Sequence, residues 1–353
     1  MIAAVALLLV TGFPEAAAAA EAANKAASPE APALYAKALR LNPAWKEGWW
    51  ALGSLEYRKD RYPQCRDAFR QMVKLDTGNS VAITMLGLCE FGVRDFDNAL
   101  AHLRGGQKIG VGNAGIDTVA KYHLAMLLTR AGDFEQALGV LVTMAQSGKQ
   151  SPAYLMLAGT AGLWKPHLPE DVPPDQREVV LLAGRAFWEA AQRHVPEAKA
   201  AYADLLSRYG TVPGVHYLYA SFLLVEATDR AIGEFEQELK VTPDHPGALT
   251  ALAAEFLRRG DAAAALPYAK RCVELMPRVA AAHVLAGRSF TETGDLDNGL
   301  RELEKARELN PEEPQVRIGL ASVYAKLGRT QDAARERREF LRLNALTKRP
   351  GER

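Results

Sequence analysis

Pro243, Pro277 and Pro311 stand 34 residues apart, and Gly260, Gly294 and Gly328 share the same spacing. So do Phe256, Phe290 and Tyr324, as well as Ala231, Ala265, Gly299 and Ala333. Four columns with one period make the C-terminal half a series of copies of one supersecondary unit, and a unit of that length cannot bury its apolar face alone. The chain must therefore stack such units into a one-dimensional array. Its 353 residues fit an array better than a single core.

Each period has the same internal order: a helical apolar pattern, a turn such as RRGD (258–261) or TETGD (291–295), a second helical pattern and a proline. Gly260 suits a helix C-terminus that needs positive φ, and the Asp after it can cap the next helix. Pro277 and Pro311 stop the second helix by lacking a donor and restricting the residue before them. Val, Ile and Thr form no alternating runs, so the pattern predicts helices throughout.

This helix-turn-helix grammar resembles the tetratricopeptide repeat family. Leu252-Ala253, Ala286-Gly287 and Leu320-Ala321 occupy the family's paired positions, in repeats beginning near Pro246, Ala280 and Pro314. Leu52-Gly53 and Leu86-Gly87 recur 34 residues apart toward the N-terminus, Leu124-Ala125 follows after a short insertion, and Phe69 and Leu103 fit the large apolar position of the second helix. The resemblance extends over nearly all of the chain after about residue 30, about nine repeats. It implies an all-α fold, an α-solenoid of antiparallel helix pairs wound into a right-handed superhelix, with the first helix of each pair lining the inner face.

Departures from the pattern divide the chain. The segment WKPHLPEDVPPDQRE (164–178) carries four prolines where a second helix belongs, so the repeat beginning near Ser151 is expected to lose most of that helix. It separates an N-terminal sub-array, 21–163, from a C-terminal one, 179–343, with a basic tail at 344–353. At the start, Tyr35, Ala38 and Pro43 match a second helix with Ser28 as N-cap and Pro29 at its first position. The run MIAAVALLLVTGF is too short to span a bilayer as a helix. With Pro14 and an A-x-A site at Ala18-Ala19-Ala20 it resembles a secretory leader at residues 1–20, although no Lys or Arg precedes it. The expectation is an exported bacterial protein, periplasmic or secreted, the alternative being a cytoplasmic chain with an apolar first helix.

Chemistry leaves little trace. A net charge of +1 supplies no field to gather nucleic acid. GVGNAG (110–115) has the glycine spacing of a dinucleotide fingerprint and Glu135 lies about 20 residues on, but it follows a helical pattern rather than a strand. Seven dispersed histidines show no metal spacing, and Cys65, Cys89 and Cys272 lack a CxxC. The cysteines fall on apolar helical faces and are expected to be reduced and buried, with a Cys65–Cys89 bridge as the alternative in an oxidising compartment. No catalytic motif, metal or cofactor is indicated, so the reading is a non-enzyme that binds a protein or peptide.

The resemblance places inner-face contacts at Trp50, Ser54, Tyr57 and Arg58; at Thr84, Leu88 and Phe91; and at Tyr122, Met126, Thr129 and Arg130. Further along it gives Thr250, Ala254, Leu257 and Arg258, then Val284, Arg288, Thr291 and Glu292. Trp49 is expected to pack against the second helix of its own repeat, and Trp50 to face the groove. Two functions follow: a scaffold holding a partner in its concave groove, or an architectural subunit of an envelope assembly (secretion, pilus or polysaccharide machinery) using its convex face or ends. An open apolar groove near Trp50 favours the first and an occluded one the second.

Overall fold

The computed structural model describes residues 31–224 and 227–347. The expected leader, Ser28, Pro29 and residues 348–353 of the basic tail lie outside the described residues. Within them regular structure is α-helix plus two short 3-10 turns. The chain divides into two compact units, the first ending at Ala198 and the second beginning at Lys199. The division falls inside helix Val195–Tyr209, and the proline-rich segment lies within the first unit.

In the first unit α1 (Ala31–Leu41) is followed by α2 (Lys46–Arg58), α3 (Tyr62–Leu75), α4 (Ser80–Gly92), α5 (Phe96–Ile109), α6 (Ala114–Arg130), α7 (Phe134–Ala145), α8 (Pro152–Gly162) and α9 (Arg177–Ala191). First helices α2, α4 and α6 start at 46, 80 and 114, so the sequence period is the structural one. Phe69 on α3, Leu103 on α5 and Leu141 on α7 are fully buried in one continuous core. Each such side chain contributes about 1.5–3 kcal/mol by leaving water. Asn79, Asn113 and Ser151 cap α4, α6 and α8 by accepting backbone N–H bonds from Ala82, Ile116 and Tyr154. The GVGNAG stretch is the loop between α5 and α6, with Gly110 at φ 99° ending α5.

The second unit holds the remainder of α10 (Val195–Tyr209), then α11 (Val215–Leu223), α12 (Thr228–Val241), α13 (Pro246–Arg258), α14 (Ala262–Leu275), α15 (Ala280–Thr293), α16 (Leu296–Leu309), α17 (Pro314–Lys326) and α18 (Thr330–Thr347). Helices α12, α14, α16 and α18 start at 228, 262, 296 and 330. Ala231, Ala265 and Ala333 are buried at the helix crossings, as the small-residue column requires. Buried Glu336 on α18 takes ion pairs from Arg307 on α16 and Arg317 on α17, joining three successive helices.

Among the described residues a left-handed residue recurs after the first helix of a pair in both units. Gly260, Gly294 and Gly328 have φ of 80°, 93° and 74°, as the sequence predicts, and Asp261 and Asp295 accept N–H bonds from Ala264 and Asn298. Asp60, Arg94, Trp164 and Arg193 take the same left-handed position in the first unit at φ 55–65°. A non-glycine residue held there costs about 1–2 kcal/mol.

Two expectations change. Cys65 on α3 and Cys89 on α4 are not reduced thiols: they are joined as a disulfide, Cα–Cα 5.8 Å, and Cys272 is the free, buried cysteine. The repeat period puts Cys65 near the start of one helix and Cys89 near the end of the next, which brings the pair to one level where α3 and α4 run antiparallel. The repeat at Ser151 also keeps its second helix. The prolines confine residues 164–176 to 3-10 turns at Pro169–Asp171 and Pro174–Gln176, and a helix then propagates as α9. Helices α8 and α9 pack antiparallel at closest approach through Gly159 and Gly184. A Cβ on Gly159 would overlap the Val180 carbonyl, and one on Gly184 the Leu155 carbonyl.

Candidate partner-binding surface in the first unit

A one-residue step turns a side chain about 100° around a helix, and α2 shows what that does to the tryptophan pair. Trp50 sets its ring edge-on against Phe69 of α3, with centroids 5.4 Å apart. Trp49 packs toward α1 and donates its indole N–H to the Pro43 carbonyl at 2.8 Å. Both are half-buried. Trp49 thus packs between the α1 cluster and the core that α3 contributes to, and Trp50, expected to face the groove, lies against its own second helix.

Thr84 is completely buried rather than presented to a groove. Its hydroxyl donates to the Ser80 carbonyl at 2.7 Å and fills the space that Gly106 of α5 leaves open. Met126 and Thr129 are likewise buried inside α6's packing, Thr129 donating to the Ala125 carbonyl. Ser54 is half-buried and Arg58 exposed, and neither lines the cleft described next.

Tyr57, Leu88 and Phe91 do come together. They line a cleft of about 320 Å³ with Tyr62, Gly92, Arg94, Phe96, His123, Leu168 and Glu170. Its floor is a row of rings. Tyr57 meets Tyr62 edge-on at 6.0 Å, and Phe91 meets Phe96 at 5.5 Å and His123 at 4.7 Å. The row continues from Tyr122 to Tyr154 of α8 at 5.4 Å, and from Tyr154 to buried Trp188 of α9 at 5.8 Å. Arg130 and Arg94 place guanidinium groups over the Phe96 ring, at 4.5 Å and 5.5 Å from its centroid. Each such contact is worth about 0.5–1 kcal/mol at an exposed site.

Electrostatics follow from this packing. The His123 imidazole is held below its ordinary pKa because burial opposes its charge, and its Nδ1 donates to the Val119 carbonyl at 2.8 Å. Burial also raises the Tyr57 and Tyr122 hydroxyls, Tyr122 with help from the Glu170 carboxylate. At neutral pH the cleft thus offers neutral rings rimmed by arginine. Its volume is at the lower end for small-molecule pockets and suits one or two side chains.

Sequence reasoning missed Arg94, Phe96, His123, Tyr154, Leu168 and Glu170. Arg94 carries a signal, since it replaces glycine in the turn column. The others lie off the helix positions that the resemblance implies.

In the second unit Arg288, Thr291 and Glu292 line a cleft of about 380 Å³ with Gln315, Ile318 and Phe340. Val284 and Leu257 are buried instead, Ala254 and Arg258 are exposed and Thr250 is half-buried. Arg258 is paired with Glu255. Among the described residues no cluster of His, Cys, Asp or Glu is arranged to hold a metal, and no helix is long and apolar enough to cross a membrane.

The tetratricopeptide repeat family profile matches residues 284–341. This stretch is tetratricopeptide repeat. It spans α15 to α18, where the period and turn geometry are most regular. No curated protein matches the chain. Among solved structures, MamA of Desulfovibrio magneticus RS-1 is similar at 21% identity and a TM-score of 0.44, over 49% of this chain and 98% of that one. A MamA RS-1 double mutant gives 22% and 0.44, over 48% and 97%. YrrB, described as a TPR protein with an unusual peptide-binding site, gives 19% and 0.43, over 47% and 86%. The fold rests on the chain's own 34-residue period and helical packing.

Proposed function

We propose that this chain is a non-catalytic scaffold that holds a peptide or protein partner on the ring-lined cleft of its first unit. The observation that carries the proposal is the convergence of Tyr57, Phe91, Phe96 and His123 under two arginines that lie on an aromatic face. Aromatic and arginine side chains are the usual anchors of binding energy at interfaces. Export to an oxidising compartment is part of the reading, supported by the Cys65–Cys89 bridge, since such bonds rarely persist in the cytosol.

The architectural alternative draws support from one feature: Leu168 fills part of the cleft, so it is not fully open. Affinity capture from the native envelope fraction separates the two. Arg94→Glu and Arg130→Glu should each weaken capture at least tenfold while lowering the melting temperature by no more than about 4 °C, because both side chains are exposed and each loses one ring contact. Undiminished capture by both variants would rule out the cleft and leave the convex face or the array ends as the binding surface.

A further inference from the structure

We infer that Leu168-Pro169-Glu170 is a built-in ligand of the first unit's cleft, and that the partner taken there is a short peptide turned at proline with the same chemistry: a large aliphatic side chain, then proline, then a carboxylate. The inference rests on the scaffold reading above and names its partner class.

The segment leaves α8 and returns over helices of the three preceding repeats. Leu168 is only 3% exposed and belongs to the same buried core as Leu88 and Leu124. Leu168 and Glu170 share the cleft with Tyr57 of α2, Phe91 of α4 and His123 of α6. The backbone there is not α-helical. Leu168 has φ −70° and ψ 152°, in the polyproline II region, and leads directly into the 3-10 turn Pro169–Asp171. Proline fixes its own φ and restricts the residue before it, so the Leu168 side chain is presented to the rings by a backbone that is already ordered.

The polar end agrees. Glu170 is exposed, and its field reaches both Tyr122 and His123. Arg94 lines the same cleft and makes no ion pair among the described residues, so the rim favours an acidic group. At its ends the segment is tied to itself: Lys165 donates to the Gln176 side chain at 2.9 Å, and Arg177 to the Val172 carbonyl at 3.2 Å. Between these ties Leu168 is the one fully inserted side chain of the 165–171 stretch. A tethered occupant of this kind competes at high local concentration and lowers the apparent affinity of any free peptide for the site.

The test is fluorescence anisotropy with a labelled peptide of sequence KPHLPEDV, residues 165–172, titrated with the full chain. Three proteins are compared: the unaltered chain, Leu168→Ser, and a chain in which residues 166–172 are replaced by a Gly-Ser stretch of equal length. The peptide should bind both variants at least tenfold more tightly than the unaltered chain. A peptide with serine in place of leucine, or lysine in place of glutamate, should lose that gain.

Circular dichroism melts establish which variants are folded, and the Gly-Ser chain decides if Leu168→Ser is not. No binding to a folded variant, or equal binding to all three proteins, overturns the built-in ligand. So does a dimer of the unaltered chain that becomes monomeric in the Gly-Ser chain, because the segment would then be exchanged between copies. If the peptide fails while Arg94→Glu still abolishes partner capture, the scaffold reading survives and this inference alone falls.

Discussion

Loss of the Cys65–Cys89 bridge should destabilise the first unit by about 3.5 kcal/mol. The cysteines are 24 residues apart, and closing a loop of that size in the unfolded chain removes about 12 cal/mol/K of entropy, hence the figure at 25 °C. For a unit of this size that corresponds to a melting temperature lower by roughly 7–14 °C. Both sulfurs are fully buried, so a reductant should act only after unfolding, and the loss should appear on the second melt rather than the first. Because the bridge joins α3 directly to α4, the effect belongs at that junction, and amide exchange there should accelerate more than in the second unit. The assay is a urea titration with and without reductant, alongside a Cys65→Ala/Cys89→Ala chain. A thiol count in guanidinium without reductant should find one free cysteine, Cys272. Three free thiols, or superimposable titrations, would refute the reasoning and remove the support for an oxidising compartment.

Gly159→Ala should be more damaging than its single methyl suggests. The added carbon meets the backbone of Val180 rather than a movable side chain, so α8 and α9 must separate, at a cost of about 3 kcal/mol or more in a urea titration; a loss under 1 kcal/mol would show that the two helices are not in contact there. His102 carries a pH dependence. Its hydrogen bond to buried Glu90, at 2.6 Å, raises the imidazole above its ordinary pKa. A raised folded-state pKa stabilises fully below the unfolded value, near 6.5, and that contribution is lost as pH rises through the folded value. The stability gap between the unaltered chain and His102→Gln should therefore be wider at pH 5.5 than at pH 9, and a gap independent of pH would remove the ion pair from the account.

The period made most of the fold legible, because its columns correspond to physical requirements that local sequence states directly. Gly260, Gly294 and Gly328 mark a left-handed turn, and Asp261 and Asp295 mark the helix starts that they cap. The site was less legible for the opposite reason. Whether Trp50 faces a groove or Phe69 depends on one 100° step and on α1 already covering the side that Trp49 takes. Thr84 turns inward because Gly106, on a different helix, leaves room for its hydroxyl. Cys65 and Cys89 pair across helices, a relation no spacing rule for single elements contains.

The proline-rich segment is the sharpest case. Its four prolines show that a regular helix cannot form, but an irregular chain has no period from which its destination can be read. That destination is a row of rings contributed by helices of earlier repeats: Leu168 is buried in the same core as Leu88 and lines one cleft with Phe91 and His123. A regular array offers every partner nearly the same face repeatedly. The place where the array breaks its pattern is where this chain acquires a shape and a charge of its own, and on the proposed scaffold function that makes the irregular segment, rather than the best-matching repeats, the part expected to distinguish a partner.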